Sequence, residues 1–430
     1  MRNFFILISF FFIFYESPRA LEFSQLESRK GIKFWFLEDN TLPILSVSFC
    51  FKGGSYFDPT GKEGTANLMT SLLDEGTRDF SALKFKQEMK LNGMKLYFSA
   101  EKNQIEGSFQ IISSQFEQGF KLFYEAINNP AFKQNQIENL KNQIRSSIKI
   151  NDSDITRVAS KKFNNNFYID HNYRKNVKGS LESLEKIQKE DIIEFFKKHI
   201  TRSNLVIGIS GNINEKEVKK FVDYVFGDLP TSDEELSIPK FKALSKGKKT
   251  FEMETPQTAV IFGQPGLERG HKDFFAARII NYVLGGGSFQ SRLYSEIREK
   301  KGLVYSIYSY LLSYNMDGII LGGFQTRNQS VKEVINLIIA EWEKIKKKGI
   351  LKNELEDAKT YYKGSFSRNF TSSMSIAKLL KIVQYYNLGS DYFIRRNTII
   401  DSLELEYINK TASELFDSDK LFFMIVGKSG

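Results

Sequence analysis

Histidine and cysteine are scarce in this chain of 430 residues, which has three histidines and one cysteine. A zinc site that catalyses hydrolysis needs about three N, O or S ligands, usually with two histidines close together in the sequence. His171, His199 and His271 are at least 28 residues apart, and no H-x-x-x-H or H-x-x-E-H pattern occurs. The chain therefore lacks the local zinc motifs of hydrolases, and we interpret each histidine as a surface or capping residue.

The one cysteine, Cys50, excludes a disulfide bond within the chain, so we expect the fold to be stabilised by an apolar core. Cys50 lies in residues 45–52, where apolar residues alternate with smaller or polar ones as in a half-buried strand. We interpret it as a small buried residue of that strand. A nucleophilic pair of Cys50 with a histidine stays open, although no nearby residue supports it.

Long apolar runs are absent after the N-terminus. The run from Phe4 to Phe14 is too short to cross a bilayer as a helix. It follows the positively charged Arg2 and precedes residues 17–20, SPRA, which predicts a signal peptide at 1–20. An uncleaved anchor is the alternative. We expect a secreted protein, in the periplasm if the source is a Gram-negative bacterium, with no integral membrane segment after cleavage.

The formal net charge is +10, which is compatible with an acidic partner or peptide. The basic residues are interleaved with acidic ones along predicted helices, a pattern typical of solvated helix faces. No nucleic-acid motif accompanies them, and we expect no nucleic-acid partner. The alternative, binding of nucleic acid or the cell envelope by the basic surface, predicts binding that weakens steeply with salt.

Two helices have recognisable N-terminal signals. Asn214 precedes Glu217, and Ser330 precedes Glu333, by the three residues of a capping box. An apolar stripe follows each pair, and Gly349 is a predicted helix end for the second.

The two parts of the chain resemble each other. Leu205 and Leu421 each begin an apolar run that ends in a glycine, and the two runs are 216 residues apart. A polar, charged stretch separates the two parts. The fold class is therefore predicted as α+β, with two homologous mixed α/β sandwich domains after a signal peptide. The predicted divisions are a signal peptide at 1–20, a first domain at 21–230, a linker at 231–250 and a second domain at 251–430.

Gly285, Gly286 and Gly287 form a glycine-rich stretch before Ser288. A phosphate-binding loop is not predicted, because no lysine follows at the required spacing. The simplest interpretation of the three glycines is a flexible turn.

Residues 54–59, GSYFDP, and 64–77, GTANLMTSLLDEGT, resemble the zinc-motif region of the insulinase/pitrilysin metallopeptidases. In active members the motif H-x-x-E-H supplies two zinc ligands and a general base, and a glutamate on a later helix is the third ligand. The motif positions correspond here to Asn67, Thr70 and Ser71, and the later glutamate falls near Ser146 and Ser147. Because these side chains are poor zinc ligands and none is a general base, the chain is expected to bind no metal.

Residues 284–305, LGGGSFQSRLYSEIREKKGLVY, resemble the second domain of the same family more closely. The resemblance places the family's arginine and tyrosine at Arg298 and Tyr305, where they would bind substrate and stabilise the tetrahedral intermediate. A guanidinium and a phenol are suitable donors for a developing oxyanion. Gly285, Gly286 and Gly287 are implied as substrate contacts.

Some bacterial members of this family divide the site between two subunits, and this chain resembles the subunit that has lost the zinc motif. The implied function is the non-zinc-binding subunit of a heterodimeric peptidase, inactive alone, with zinc in a homologous partner and a peptide as substrate. The alternative is a catalytically inert scaffold or assembly protein of the same fold.

Overall fold

The computed structural model describes residues 23–244 and 246–428, so the predicted signal peptide at 1–20 lies outside the described residues. The strands are β1 Ser24–Glu27, β2 Lys33–Glu38, β3 Ile44–Lys52, β4 Lys95–Ala100, β5 Gln104–Ile112, β6 Tyr168–Ile169, β7 Leu205–Gly211, β8 Lys242–Ala243, β9 Gly247–Glu252, β10 Gln257–Pro265, β11 Val304–Ser313, β12 Gly318–Arg327 and β13 Phe422–Gly427.

The α-helices are α1 Thr65–Leu72, α2 Ala82–Leu91, α3 Phe116–Asn128, α4 Gln134–Ser153, α5 Ile155–Phe167, α6 Leu181–Lys186, α7 Lys189–His199, α8 Glu215–Phe226, α9 Phe274–Asn281, α10 Val331–Lys348, α11 Lys352–Phe366, α12 Ser373–Tyr385, α13 Tyr392–Asp401 and α14 Leu405–Leu415. Tyr282–Gly286 and Tyr294–Glu299 are π-helical. None of the described helices is long and apolar enough to cross a membrane.

The two large sheets have the same strand order, apart from the additional edge strand β1 of the first sheet. The first sheet runs β1-β2-β7-β3-β5-β4, and the second runs β9-β13-β10-β12-β11. In each, one parallel pair, β2 with β7 or β13 with β9, adjoins antiparallel neighbours. The last strand of each sheet, β4 or β11, is an edge. This correspondence confirms the predicted fold class of two related mixed α/β domains.

Each domain contributes one helix to the other domain's sheet. From the first domain, α5 packs on β10 and β13, where Phe163 and Phe422 have ring centroids 5.6 Å apart. From the second domain, α12 packs on β7 and β3, and Gln384 Nε2 donates to Ile207 O at 2.7 Å. The cores of the two domains are therefore joined through apolar and polar contacts.

The exchanged helix α12 changes the environment of β3. The alternating sequence predicts a half-buried strand, but the residues from Leu45 to Phe51 are all buried. Ser46, on the face that would otherwise meet water, is fully buried, and its Oγ lies 2.8 Å from Ser373 Oγ. The strand was predicted correctly and its half-burial was wrong, because the covering helix comes from a distant part of the chain.

One of the two predicted caps is confirmed and the other is wrong. Asn214 Oδ1 accepts a hydrogen bond from Glu217 N at 2.9 Å at the start of α8. Ser330 instead ends a 3-10 turn and its side chain makes no capping hydrogen bond to α10. Gly349 ends α10 with φ +66°, as predicted.

The predicted linker at 231–250 crosses the region between the domains. Phe241 N donates to Asp317 Oδ2 at 2.7 Å, and β9, which begins at Gly247, pairs with β13 as an edge of the second sheet. The segment is thus attached to the second domain along its C-terminal part.

Candidate functional site

Arg298 and Tyr305 are neighbours in space. Arg298 lies in the π-helical segment Tyr294–Glu299, and the chain then turns through Gly302, with φ +62°, into β11. Arg298 Nε donates to Tyr305 O at 3.2 Å, and its guanidinium carbon lies 5.1 Å from the centre of the Tyr294 ring. Within residues 23–244 and 246–428 the guanidinium makes no other hydrogen bond, so its terminal nitrogens are available to a ligand.

A β-bulge sets the direction of Tyr305. The register of β11 against β12 shifts between Val304 and Ile307, so Tyr305 and Ser306 are both exposed instead of alternating. The Tyr305 side chain is 87% exposed, the largest exposure among the large aromatic side chains described. The bulge therefore presents a phenol to solvent beside the Arg298 guanidinium.

Gly285 and Gly286 continue a helix and do not form the predicted flexible turn. Gly285 and Gly286 belong to the π-helical extension of α9, and Gly287 follows it. A Cβ at Gly285 would lie 2.4 Å from Ser309 Oγ and 2.9 Å from Ser309 N. Asn281 ties the two elements together, donating to Ser309 O at 3.1 Å and accepting from Ser309 Oγ at 2.8 Å. Glycine is required here so that the helix end can approach β11 closely.

The guanidinium of Arg298 and the phenol of Tyr305 line one cavity of about 300 Å³, which we call the aromatic site. Of the predicted residues, Gly285, Gly286, Arg298 and Tyr305 line it, whereas Gly287 does not. Sequence reasoning missed its aromatic walls, whose only signal was the density of Phe and Tyr around the motif. The further aromatic residues that line the site are Phe289, Tyr294, Tyr308 and Tyr310.

The positions of the degenerate motif lie on α1 in the first domain. Asp58 fixes the start of this helix by accepting from Gly64 N and Ala66 N, each at 2.8 Å. Thr70 Oγ1 and Ser71 Oγ both donate to Asn67 O, at 3.0 and 2.8 Å. Thr70 is buried, while Asn67 is partly exposed to a cleft. The two hydroxyl groups thus bond to their own helix backbone.

The later ligand position is equally unsuited to a metal. Ser146 is exposed and donates to Asn142 O, and Ser147 Oγ accepts a hydrogen bond from Lys178 Nζ at 2.9 Å. A lysine ammonium beside this position opposes a cation. In the described ranges no group of three or more His, Cys, Asp or Glu side chains could hold a metal ion. The residues present therefore do not fit the family's zinc ion.

The histidines and the cysteine have structural positions. His171 Nδ1 accepts from Tyr173 N at 3.3 Å and His271 Nδ1 from Asp273 N at 3.1 Å, as capping residues do. His199 is 2% exposed, so its interpretation as a surface or capping residue was wrong. Cys50 is fully buried as predicted, and burial raises the pKa of its thiol to about 12, which disfavours a nucleophilic thiolate.

Family comparisons agree with this geometry. Residues 35–180 match the family described as insulinase (peptidase family M16), and residues 186–362 match the peptidase M16 inactive domain. The chain belongs to the peptidase M16 family. A non-peptidase homolog, YmxG, of Helicobacter pylori is 25% identical over 90% of each chain, and an uncharacterized zinc protease YmxG of Bacillus subtilis is 24% identical over 92% of this chain and 96% of its own.

Among solved structures, a peptidase M16 inactive domain from Pseudomonas fluorescens superposes with a TM-score of 0.90 at 25% identity, over 95% of this chain and 99% of its own. The match to this inactive domain, together with the unsuitable side chains on α1, identifies the chain as a member of the family without the zinc-binding motif.

Proposed function

We propose that this chain is the non-zinc-binding subunit of a heterodimeric M16 peptidase and that it contributes Arg298 and Tyr305 to peptide cleavage. One observation carries the proposal: Arg298 and Tyr305 line one open cavity while α1 lacks every zinc ligand. Loss of the metal site with an intact pair of donors is expected of a subunit that complements another, since the pair alone cannot hydrolyse a peptide. A homologous partner would supply the zinc ion and the general base.

The role of this chain is to stabilise charge on the substrate. The terminal nitrogens of Arg298 and the hydroxyl group of Tyr305 can donate hydrogen bonds to a carbonyl oxygen as it becomes negative. The aromatic walls around them exclude water from one side and strengthen these bonds. Extended peptide can add to an exposed sheet edge, and β4 and β11 are the two edges beside the cavities of the domains.

The experiment is a reconstitution of the chain with a homologue that carries H-x-x-E-H. Tyr305→Phe should lower kcat about 10- to 100-fold, because one hydrogen bond to a developing charge is lost. Assembly, measured by size-exclusion chromatography, should be unchanged. Tyr224→Phe is the control, since Tyr224 is 47% exposed on α8 of the first domain, in neither cavity. Equal turnover for the wild-type and Tyr305→Phe pairs would exclude a catalytic role for Tyr305.

The inert scaffold predicts a different outcome, namely assembly without turnover in any mixture.

Export is a separate proposal, based on the layout of residues 1–20. Sequencing the N-terminus of protein isolated from the periplasm should find Leu21 first, and recovery of intact protein only from the cytoplasm would exclude it.

A further inference from the structure

A cleft of about 550 Å³ lies in the first domain beside the degenerate motif, and we call it the basic cleft. Asn67 of α1 lines it, and the edge strand β4 contributes Tyr97 and Ser99. The end of α4, one face of α5 and the loop that ends at Gly179 form the remaining walls. The cleft therefore lies beside the helix that carries the degenerate motif.

The charge of this cleft is strongly positive. Two carboxylates, Glu101 and Asp152, line it. The basic residues that line it are Lys102, Arg157, Lys161, Arg174, Lys175 and Lys178.

Several of these cations are not neutralised by close carboxylates. Lys178 Nζ is held by Ser147 Oγ at 2.9 Å and forms no salt bridge within the described residues. The nearest contacts of Arg157 with Asp154 and of Arg174 with Asp170 are 4.0 and 3.8 Å long. Such long, exposed contacts contribute little and are easily exchanged for a ligand.

Two of the lysines form close salt bridges with carboxylates, so they are not available to a ligand. Lys161 contacts Asp152 at 2.8 Å, and Lys175 contacts Glu63 at 3.0 Å. Lys102 is partly buried, and its Nζ donates to Tyr173 O. The cations available to a ligand are therefore Arg157, Arg174 and Lys178, which come from α5 and from the loop before α6. They surround the cleft from two sides, as expected for a site that binds several negative groups.

The basic cleft is connected to the aromatic site through a second cavity. Thr156, at the start of α5, lines the basic cleft and also this second cavity of about 510 Å³. Tyr305 lines this second cavity and the aromatic site. An extended ligand that reaches Tyr305 can continue past Thr156 into the basic cleft.

We infer that Arg157, Arg174 and Lys178 bind the acidic side chains of a peptide, so that the chain selects acidic peptides. The inference names the substrate class of the proposed peptidase and rests on that function for its biological meaning, but binding can be measured on this chain alone. A peptide is favoured over free phosphate because the cations are spread along a cleft whose wall includes an edge strand.

The test uses a fluorescent peptide that alternates Glu with Ala, blocked at both ends, and the purified chain. Fluorescence anisotropy should show binding that weakens with salt, whereas the same peptide with Gln in place of Glu should bind at least about tenfold more weakly. The Gln peptide with a free C-terminus tests whether a terminal carboxylate alone is enough for binding. Inorganic phosphate, as a competitor, should displace the Glu peptide only weakly, since it cannot reach all three cations at once.

The variant R157Q/R174Q/K178Q should weaken binding of the Glu peptide about tenfold. The control K216Q/K219Q/K220Q removes the same charge from α8, where these lysines line a different cavity, and should leave binding within about twofold. Circular dichroism checks the fold of each variant. The inference would be overturned if the Glu and Gln peptides bound equally well, or if both variants lost the same affinity for the Glu peptide. Full displacement of the Glu peptide by phosphate would also overturn it.

The reconstituted pair separates this inference from the proposed function. Cleavage of Glu and Gln peptides at equal rates would overturn acidic selection and leave the subunit role intact. Selective binding of the Glu peptide without any cleavage in the mixture would reject the subunit role and retain the acidic site.

Discussion

The helices α1 and α9 begin corresponding parts of the two domains but differ in the groups that they present. The buried faces of the two helices match when Ala66, Leu68 and Met69 of α1 are paired with Ala277, Ile279 and Ile280 of α9. The motif positions Asn67, Thr70 and Ser71 then correspond to Arg278, Asn281 and Tyr282. Asn281 bonds to Ser309 of β11, and Tyr282 is buried in the second core. The first domain thus leaves Asn67 of this helix face at a cleft, whereas the second domain packs the corresponding face against its own edge strand.

The second domain forms its site differently. Its helix α9 ends in the π-helical turn with Gly285 and Gly286, and its edge strand carries the bulge that exposes Tyr305. π-Helical turns and bulges are both frequent at functional sites. The comparison teaches that one topology can support a positively charged cleft in one domain and an exposed tyrosine beside an arginine in the other. The following predictions test this difference, beginning with the largest expected effect.

Replacing Arg298 should affect catalysis most. Arg298→Gln is expected to lower kcat of the reconstituted pair about 100- to 1,000-fold, because a charged donor near the developing oxyanion is lost. Arg298→Lys should recover only part of the rate, since an ammonium lacks the fork of the guanidinium. Arg78→Gln, an exposed arginine of the first domain, is the control. If Arg78→Gln lowered kcat as much as Arg298→Gln, the loss of activity could not be assigned to the aromatic site.

Acid sensitivity should belong to the first domain. Burial, aided by Lys198, lowers the pKa of His199 from its ordinary 6.5 to about 4. At this site the unfolded chain therefore binds more protons between these values, and the contribution of neutral His199 to stability, about 3 kcal/mol above pH 6.5, should be lost as pH falls to 4.

At the corresponding end of α14 the second domain has Leu415, which has no such group. His199→Leu should therefore lose less stability than the wild type between pH 6.5 and pH 4, measured by urea unfolding at several pH values. If the free energy of unfolding changed with pH equally in the variant and the wild type, the loss of stability in acid would come from other groups.

The contact of the exchanged helices should be tighter in the first domain. A Cβ at Gly208 would lie 2.2 Å from Ala377 O and 2.6 Å from Lys381 N of α12, so Gly208→Ala should cost about 2–3 kcal/mol. At the corresponding place on β13 the second domain has Met424. Gly364→Ala, in a helix position with open space, should instead stabilise by about 0.5–1 kcal/mol. Thermal unfolding measures both, and a neutral Gly208→Ala would refute the close packing.

The smallest effects concern the two helix starts. Asn214→Ala removes a capping hydrogen bond and should cost about 1 kcal/mol, measured by denaturant unfolding. Ser330→Ala should cost about 0.5 kcal/mol or less, since its side chain caps nothing. Equal costs at the two sites would contradict this assignment.

Local patterns predicted much of the fold, because strand alternation and apolar stripes reflect nearby residues. The alternation in β3 predicted the strand, and the matched runs at Leu205 and Leu421 predicted the related domains. The burial of Ser46 could not be predicted, because α12 lies more than 300 residues away in the chain. The cap at Ser330 failed because a 3-10 turn, invisible in a residue pattern, precedes α10.

The candidate site was likewise predicted only in part from the sequence. The resemblance placed Arg298 and Tyr305 on one motif, and the structure brings them to one cavity. The bulge that turns Tyr305 outward and the helical state of Gly285 and Gly286 depend on pairing with β12 and packing on Ser309, which the local sequence does not encode. The basic cleft likewise combines residues from three separate segments.

The central claim is most directly tested by measuring bound zinc and peptidase activity of the purified chain alone and of its mixture with a homologue that carries H-x-x-E-H. The account predicts no stoichiometric zinc and no turnover for the chain alone, and turnover in the mixture above that of the homologue alone. Stoichiometric zinc with turnover by the chain alone would contradict it.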